Sequence, residues 1–152
     1  MKILASLALL LATAPAAQGP TSPPAASQRT IVKDRAALAR LRRNSGITLQ
    51  WISFESPARG HVRVSERGGL IHLRGGQSGR GGALTIEGDV LEIGPRSFTF
   101  RGEISIVGTP DATRNCLRDG DFEFRVTGSR RYWRLQQMEA CDGLTDYVDI
   151  YY

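Results

Sequence analysis

Residues 84–106, with the sequence LTIEGDVLEIGPRSFTFRGEISI, decide the fold, because apolar and polar side chains alternate in them on both sides of a turn. Alternation with a period of two is typical of a strand with one buried face and one hydrated face. Gly94-Pro95-Arg96 favours a turn of three residues between two such strands. The stretch therefore predicts an antiparallel hairpin that contributes one face to the core.

The three-residue turn also predicts a register for this hairpin. It places Gly88 opposite Gly102, and two glycines that face each other in mid-strand indicate a bend of the kind that curls a sheet toward closure. A turn of four residues would shift the strands and break every pair. The remaining predicted pairs are Ile93 with Ser97, Val90 with Phe100, Asp89 with Arg101, Ile86 with Ile104 and Leu84 with Ile106.

The same alternation predicts a second hairpin, in which Gly128-Ser129 forms a two-residue turn. Asp119-Gly120-Asp121 is interpreted as a turn before this hairpin, and residues 147–152 as the last strand. Apolar residues then face apolar ones and opposite charges meet, which supports the register. The predicted pairs are Phe124 with Trp133, Phe122 with Leu135 and Glu123 with Arg134.

Three shorter strands are predicted upstream, the last two joined by a turn at Glu66-Arg67-Gly68-Gly69. Residues 75–82, GGQSGRGG, lack the Lys-Ser/Thr ending and the following helix of a phosphate-binding loop, so we interpret them as a flexible hairpin loop. The three strands run through residues 47–51, 62–64 and 71–73, with Trp51 inside the first.

A short helix is predicted near residues 34–44, ahead of the strands. Asp34 can cap its amino end, Leu38 and Leu41 share one face, and Asn44-Ser45-Gly46 supplies a stop. Its basic residues allow contact with lipid, but the narrow apolar face favours packing on the sheet.

These elements predict a mainly β fold: an antiparallel meander of about eight short strands that forms a small barrel or a curled sandwich, with one short N-terminal helix. The 152 residues suffice for one domain, which we place at residues 31–152. The 17 glycines and 7 prolines favour many turns, and so short strands rather than long helices.

The amino terminus predicts export. Lys2 precedes an uncharged apolar run over residues 3–13, and Ala14-Pro15-Ala16 offers a cleavage site, so residues 1–16 are predicted to be a signal peptide. The run is shorter than the roughly 20 residues of a membrane-spanning helix, so we do not expect an integral membrane protein. Residues 17–30, rich in Pro, Ala and Ser, are predicted to be a disordered spacer. The protein is expected to be periplasmic or secreted.

Export changes the interpretation of the two cysteines, Cys116 and Cys141. In an oxidising compartment such a pair favours a disulfide. The loop of about 25 residues gives roughly 3–4 kcal/mol of stabilisation in the chain-entropy model. Two thiolates are too few for a zinc site, and His61 and His72 lie far upstream, so no metal is expected.

Basic residues exceed acidic ones, which gives the chain a formal charge of +5. This excess allows an anionic partner such as nucleic acid, phospholipid headgroups or envelope polysaccharide. The arginines are scattered from Arg29 to Arg134 and form no block, which favours an evenly charged surface instead. Export argues against nucleic acid as the partner.

The sequence identifies no catalytic residue and no cofactor. It contains neither G-x-S-x-G nor H-E-x-x-H. His61 and His72 lie on or beside predicted strands, and His72 is expected to point to solvent because its neighbours are apolar. An acidic group near the end allows calcium binding, but its spacing matches no calcium loop and favours solvated turns and edges. This group comprises Glu139, Asp142, Asp146 and Asp149.

Arginines and aromatic residues mix in residues 130–134, RRYWR, a composition that allows stacking on nucleic acid or polysaccharide. On a strand, Tyr132 and Trp133 point to opposite faces, so Trp133 is predicted to lie in the core. The alternation of residues 148–152 up to a terminal Tyr152 is similar to the insertion signal of outer-membrane barrels. Those barrels need strands of about 9–11 residues, and the predicted strands are too short.

Three stretches together resemble a family of small exported proteins of Gram-negative bacteria. They are residues 46–52 (GITLQWI), residues 132–135 (YWRL) and the end of the chain, with CD at 141–142 and TDYVDIY at 145–151. The resemblance covers roughly Gly46 to Tyr152. The resemblance implies a domain that occurs as a unit in related proteins and has no assigned activity. It identifies no catalytic or binding residue in this chain.

The leading hypothesis is a non-catalytic periplasmic protein that binds or shields an envelope component, with an unknown protein as its partner. An inhibitor of a host or rival hydrolase is one form of it, since loops on a rigid frame suit protein binding. The alternatives are a carrier of a lipid or small apolar ligand inside a barrel, and an enzyme of unknown class. A cleft that joins His61 or His72 to a carboxylate would favour the enzyme.

Overall fold

The computed structural model of the protein describes residues 28–152. The predicted signal peptide and residues 17–27 of the predicted spacer lie outside this part of the chain. Thr30 already contacts the sheet, because its hydroxyl bonds to the carbonyl of Val90 and to the N–H of Ile71 over 2.6 and 2.8 Å. The elements are β1 (Ile31–Val32), α1 (Arg35–Arg42), β2 (Gly46–Leu49), α2 (Gln50–Ser53), β3 (His61–Arg67), β4 (Leu70–Gly79), β5 (Gly82–Ile93), β6 (Ser97–Val107), β7 (Asn115–Arg125), β8 (Tyr132–Leu135) and β9 (Val148–Tyr151).

The strands form one sheet that curls into a nearly closed antiparallel barrel. Its order is β2-β9-β8-β7-β6-β5-β4-β3. The two ends meet where Ile47 of β2 and Gly60, just before β3, donate backbone N–H groups to each other's carbonyls over 3.3 and 2.9 Å. We call this junction the seam. The prediction of a mainly β fold that forms a small barrel is confirmed, and β1 extends the sheet by parallel pairing with the end of β5. The strands β4 to β7 have 10, 12, 11 and 11 residues, so they are longer than the sequence predicted.

The hairpin of β5 and β6 has the predicted register over most of its length. Gly88 lies opposite Gly102, and a Cβ atom on Gly102 would stand 2.6 Å from the Cα of Gly88 and 2.2 Å from the carbonyl oxygen of Glu87. Neither glycine has room for a side chain, so the two strands bend together here. The other confirmed pairs are Val90 with Phe100, Asp89 with Arg101, Ile86 with Ile104 and Leu84 with Ile106.

The turn of this hairpin differs from the prediction. Ile93 pairs with Phe98 rather than with Ser97. Four residues therefore lie between the last paired residues of the hairpin, where three were predicted. A bulge at Leu91 adds one residue to β5 and restores the register beyond it. The longer turn therefore breaks only the pair beside it.

The register predicted for the second hairpin is wrong. The pairing is shifted by two residues, so that Phe124 faces Leu135 instead of Trp133. Arg96, in the turn of the first hairpin, donates to two carbonyls of the β7–β8 connection over 2.8 and 3.2 Å and supports residues 126–131 as a longer loop. For the same reason the predicted pairs Phe122 with Leu135 and Glu123 with Arg134 do not form.

Two predicted turns lie within strands. Asp119-Gly120-Asp121 is part of β7, where Gly120 pairs with Gly102 and extends the bend of the first hairpin. Residues 75–79 belong to β4, and only Arg80-Gly81 connects it to β5. A Cβ atom on Gly75 would stand 2.0 Å from the carbonyl oxygen of His61, so these glycines permit close strand approach rather than a loop.

The first predicted strand ends earlier than expected. β2 stops at Leu49, and Trp51 lies in α2, where its indole N–H donates to Asp146 over 3.0 Å. The side chain of Gln77 accepts the N–H of Leu49 over 2.7 Å, so an inward-pointing amide replaces the next ladder bond at this end of the barrel.

The predicted helix is present as α1 and packs on the barrel as expected. Asp34 caps it by accepting the N–H of Ala37 over 2.6 Å, and Leu41 is fully buried. After the helix, Asn44 donates to the carbonyl of Val62 over 2.9 Å, and Arg42 pairs with Glu66. The helix thus covers part of the free edge of β3, which protects that edge from pairing with other chains.

Aromatic side chains fill the interior of the barrel. Trp133, Phe98, Phe100 and Phe124 are at most 2% exposed. The rings of Phe98 and Phe124 stack with centroids 5.0 Å apart, and Trp133 meets Phe98 edge-on at 5.7 Å. Tyr132 and Trp133 lie on opposite faces of β8, as predicted. The inner face is therefore a packed core.

A disulfide joins Cys116 on β7 to Cys141 in the β8–β9 loop. It closes a loop over a sequence separation of 25 and ties this long connection to the barrel wall. Cys116 lies inside β7.

Removal of this disulfide is expected to lower the free energy of unfolding by about 3–4 kcal/mol, because the unfolded chain regains the entropy of an open loop. Denaturant unfolding of a Cys116→Ala/Cys141→Ala variant measures the loss. Reductant should weaken the parent protein and leave the variant unchanged. Equal unfolding midpoints for the parent and the variant would show that the cross-link contributes nothing.

Candidate functional site

The two histidines lie apart on the outer surface. His61 is exposed near the seam, whereas His72 is half-buried and its Nδ1 lies 2.8 Å from Asp89 Oδ1. Ser65 pairs with His72 across β3 and β4, but the two side chains form no hydrogen bond within residues 28–152. Asp89 is thus engaged by His72, and Arg101 opposite it bonds to Asp121 instead, over 2.6 and 2.7 Å. His72 has a carboxylate partner but lies on an open sheet face rather than in a cleft.

The acidic residues near the end of the chain have basic or hydroxyl partners. Asp146 is fully buried and accepts from Arg114, which also approaches Asp142 at 3.4 Å, whereas Asp149 accepts from Arg134 and Glu139 from Thr145. Within residues 28–152 no group of three or more His, Cys, Asp or Glu residues is placed to hold a metal ion. Asp146 and Asp149 therefore act as partners of arginines, and the expectation that all four residues lie on solvated turns is wrong for these two.

Arg114 and Asp146 form a buried ion pair at the end of the barrel that carries α2. Two guanidinium nitrogens of Arg114 donate to the two carboxylate oxygens of Asp146, each over 2.9 Å, and the side chains are 2% and 0% exposed. The hydrogen bonds to Asp146 raise the pKa of Arg114. Since Trp51 donates to the same carboxylate, the pair links the β6–β7 connection, α2 and the β8–β9 loop.

Arg118 points into the barrel from β7, which the sequence pattern did not reveal. Its Nη1 donates to the carbonyl of Gln137 over 2.7 Å, while Nε and Nη2 have no hydrogen-bond partner among residues 28–152. Burial lowers the pKa of this guanidinium. Its plane lies 5.3 Å from the ring centroid of Phe122, so an aromatic face replaces part of its missing hydration.

A groove with a volume of about 710 Å³ opens on the outer surface beside the seam. Gly60, Gly75 and Gly76 line it without side chains, and a Cβ atom on Gly60 would stand 1.9 Å from the carbonyl oxygen of Gly76, so neighbouring strands approach closely here. We call it the seam groove. Its charged lining residues are Arg59, Arg63, Arg74, Glu87 and Glu103, of which the last four form one row across β3 to β6.

A second groove, of about 410 Å³, lies on the other side of Arg59. The Arg59 guanidinium covers the ring of Tyr151 at 3.8 Å, and the ring of Tyr132 lies 5.1 Å from that of Tyr151. Arg134 covers the ring of Tyr147 at 4.2 Å. Together these three tyrosines form a face on β8 and β9 that we call the tyrosine face.

Paired polar groups hold the tyrosine face in place. Arg134 donates to both oxygens of Asp149 over 2.7 Å, and these hydrogen bonds raise the pKa of the guanidinium. Gln50 accepts the N–H of Tyr147 over 2.8 Å and donates to the carbonyl of Thr145 over 2.6 Å. Because these contacts are already made without a ligand, the face is preorganised.

The two halves of the described chain carry opposite net charge. Residues 28–80 contain eleven Lys and Arg residues against three Asp and Glu, whereas residues 81–152 contain eight against twelve. The first part forms α1, α2 and β1 to β4. These elements therefore carry the excess of basic residues, and two of those residues, Arg59 and Arg63, lie exposed beside the seam.

These features define a class of protein: a small disulfide-linked antiparallel barrel with a side-chain-filled interior and polar grooves on its outer surface. The chain belongs to the PM1083 family, whose model matches residues 29–152. It is 38% identical over 106 residues to "Uncharacterized protein PM1083" of Pasteurella multocida (strain Pm70), an alignment that covers 68% of each chain. No solved structure matches the chain. The family confirms the resemblance drawn from residues 46–152, to proteins without an assigned activity.

Within residues 28–152, neither helix is long and apolar enough to cross a bilayer.

Proposed function

We propose that the protein is an exported, non-catalytic binding protein of the cell envelope that holds its ligand on the outside of the barrel, at the seam. Residues 1–16 act as the signal peptide, residues 17–30 as the spacer and residues 31–152 as the binding domain. The protein is then periplasmic or secreted. The disulfide between Cys116 and Cys141 supports this location, because such bonds persist in oxidising compartments.

The packed interior is the observation that carries the proposal. A carrier of lipid or another small apolar ligand needs a hollow barrel. Here Trp133, Phe98 and Phe124 occupy the centre and contact one another. Arg118 enters the same interior with two nitrogens that lack partners, a setting that repels an acyl chain. The packed and charged interior disfavours the carrier hypothesis and favours a binding site on the outer surface.

The surroundings of His72 disfavour the enzyme. An imidazole that acts as a general base needs a neighbouring nucleophile or substrate proton within hydrogen-bond distance. His72 contacts Asp89 at 2.8 Å and has Glu87 at 3.8 Å, both acceptors when ionised, and it is 38% exposed on an open face. The contact of His72 with Asp89 is therefore interpreted as a surface interaction between neighbouring strands.

Native mass spectrometry of the protein from a periplasmic extract tests both export and the packed interior. We expect a chain that begins at Ala17, carries the disulfide and holds no lipid, because the interior has no room for one. Recovery of the uncleaved chain with free thiols from the cytoplasm would contradict export. A lipid adduct that withstands gel filtration would contradict the packed interior and restore the carrier hypothesis.

A pair of charge-matched variants tests the binding surface. Arg59→Ser/Arg63→Ser removes two cations at the seam, and Arg101→Ser/Arg125→Ser removes two on the opposite side. We expect the seam variant to recover at least tenfold less bound material than the parent from an envelope extract passed over immobilised protein, roughly the effect of losing two charged contacts. The control should match the parent. Equal recovery by both variants would place the ligand elsewhere.

A further inference from the structure

We propose that the seam groove and the tyrosine face together bind an acidic polysaccharide, one whose sugar rings carry carboxylate, sulfate or phosphate groups. This inference rests on the proposed function, because it names the ligand of the same surface.

The seam groove presents cations that the protein itself leaves unmatched. Among residues 28–152, neither Arg59 nor Arg63 forms a salt bridge, and both are exposed. Arg74 approaches Glu87 only to 3.5 Å, with both side chains more than half exposed. Guanidinium groups donate in a fork that matches carboxylate, sulfate and phosphate oxygens. An anionic ligand therefore finds counter-charges at Arg59 and Arg63, at the end of the groove away from Glu103.

The shape of the groove favours a chain over a flat surface. Gly60, Gly75 and Gly76 line it without side chains, so a ligand reaches the backbone beside the longer side chains of the groove. Arg59 lines both this groove and the groove of about 410 Å³ beside it. The two grooves therefore meet at Arg59 and form one track. A bilayer surface touches the rim of such a track, whereas an extended polymer fits along it.

The tyrosine face supplies groups that suit sugar rings. Tyrosine combines an apolar ring with a polar hydroxyl. Because Arg59 and Arg134 already cover one face of the Tyr151 and Tyr147 rings, a sugar contacts the hydroxyls and the uncovered parts of these rings. Tyr147 is 38% exposed, and Tyr151 and Thr48 lie in the same groove. Because Gln50 and Arg134 already fix this face, little conformational entropy is lost on binding.

Titration of the full mature chain with defined polymers tests the ligand class. The probes are dextran sulfate, neutral dextran of the same length and polygalacturonate, with single-stranded poly(dT) and phosphatidylglycerol vesicles as rival anions. We expect binding of at least one acidic polysaccharide and none of neutral dextran. Arg59→Ser/Arg63→Ser should weaken that binding about tenfold, while Arg101→Ser/Arg125→Ser leaves it within about twofold. Tyr151→Ala should weaken it without any change of charge.

Three results would overturn the inference. The first is equal weakening by both double variants, which would indicate general attraction by net charge. The second is seam-dependent binding of poly(dT) or vesicles without binding of either acidic polysaccharide. The third is no polymer binding at all. If the envelope extract still yields a ligand that depends on Arg59 and Arg63, the proposed function stands and only the polysaccharide is excluded.

Discussion

Asp146→Ala is expected to destabilise the domain by about 3 kcal/mol, because it leaves the buried guanidinium of Arg114 with only the largely exposed Asp142, at 3.4 Å, as its counter-charge. Both side chains are almost completely shielded from water, and their two hydrogen bonds of 2.9 Å are lost together. Trp51 also loses the acceptor of its indole N–H. Urea unfolding, followed by tryptophan fluorescence and circular dichroism, measures the change in midpoint.

Two further variants separate the ion pair from a general effect of mutation. Asp121→Ala breaks an exposed bidentate pair with Arg101 and should leave the unfolding midpoint nearly unchanged. Arg114→Met/Asp146→Leu removes both buried charges and should be more stable than Asp146→Ala alone. A double variant as unstable as the sum of its single variants would mean that the two charges do not interact.

Gly102→Val is expected to cost about 3 kcal/mol or more, the upper end of the range for overpacked sites. The new Cβ would overlap Glu87 and Gly88 on the neighbouring strand, and both contacts are to backbone, which cannot rotate away. The strands must separate, and the bend that closes the barrel is lost with them. Thermal unfolding and the dispersion of amide resonances report the loss of the native fold.

Gly94→Ala in the same hairpin provides the matched control. A Cβ atom there would meet only the carbonyl oxygen of Ser97, at 3.8 Å, which is an ordinary contact. We expect a change within about 0.5 kcal/mol, as for other substitutions away from the core. A Gly102→Val protein with the parent's unfolding midpoint would contradict the assignment of Gly88 and Gly102 to a close strand crossing.

Local patterns account for what the sequence predicted well. The alternation around Val90 and Phe100 sets the inner face of β5 and β6, and the facing glycines of this hairpin indicate its bend. Asp34 marks the start of α1 by its own hydrogen bond. Each of these signals acts between residues close in the chain or directly opposite in a hairpin, so a single sequence contains it.

Contacts between distant segments account for what the sequence did not predict. The second hairpin takes its register from Arg96, about 30 positions upstream in the turn of another hairpin. Asp146, in the β8–β9 loop, is buried because it pairs with Arg114, which lies 32 positions upstream. Arg118 has the inward parity of its strand, but its charge favoured a surface position. None of these partners follows from local periodicity.

The candidate site could not be predicted from the sequence for the same reason, because it depends on contacts between distant segments. The residues of the seam groove come from the segment before β3 and from β3 to β6, and its charge depends on which strands become neighbours. Arg59 and Arg63 lie beside β2 because β2 and β3 close the barrel next to each other. The position of Tyr151 beneath Arg59 likewise depends on that closure. The site is therefore a consequence of the topology rather than of a motif.

The claim that ligands bind outside a packed barrel is tested most directly by an amide NMR titration of the mature chain with polygalacturonate or dextran sulfate. Binding at the seam is expected to shift the resonances of residues 59–63, 74–76 and 147–151, and to leave those of the inward-facing Phe100 and Ile104 in place. Shifts that concentrate on Phe100, Ile104 and Arg118 instead would place the ligand inside the barrel and contradict the account.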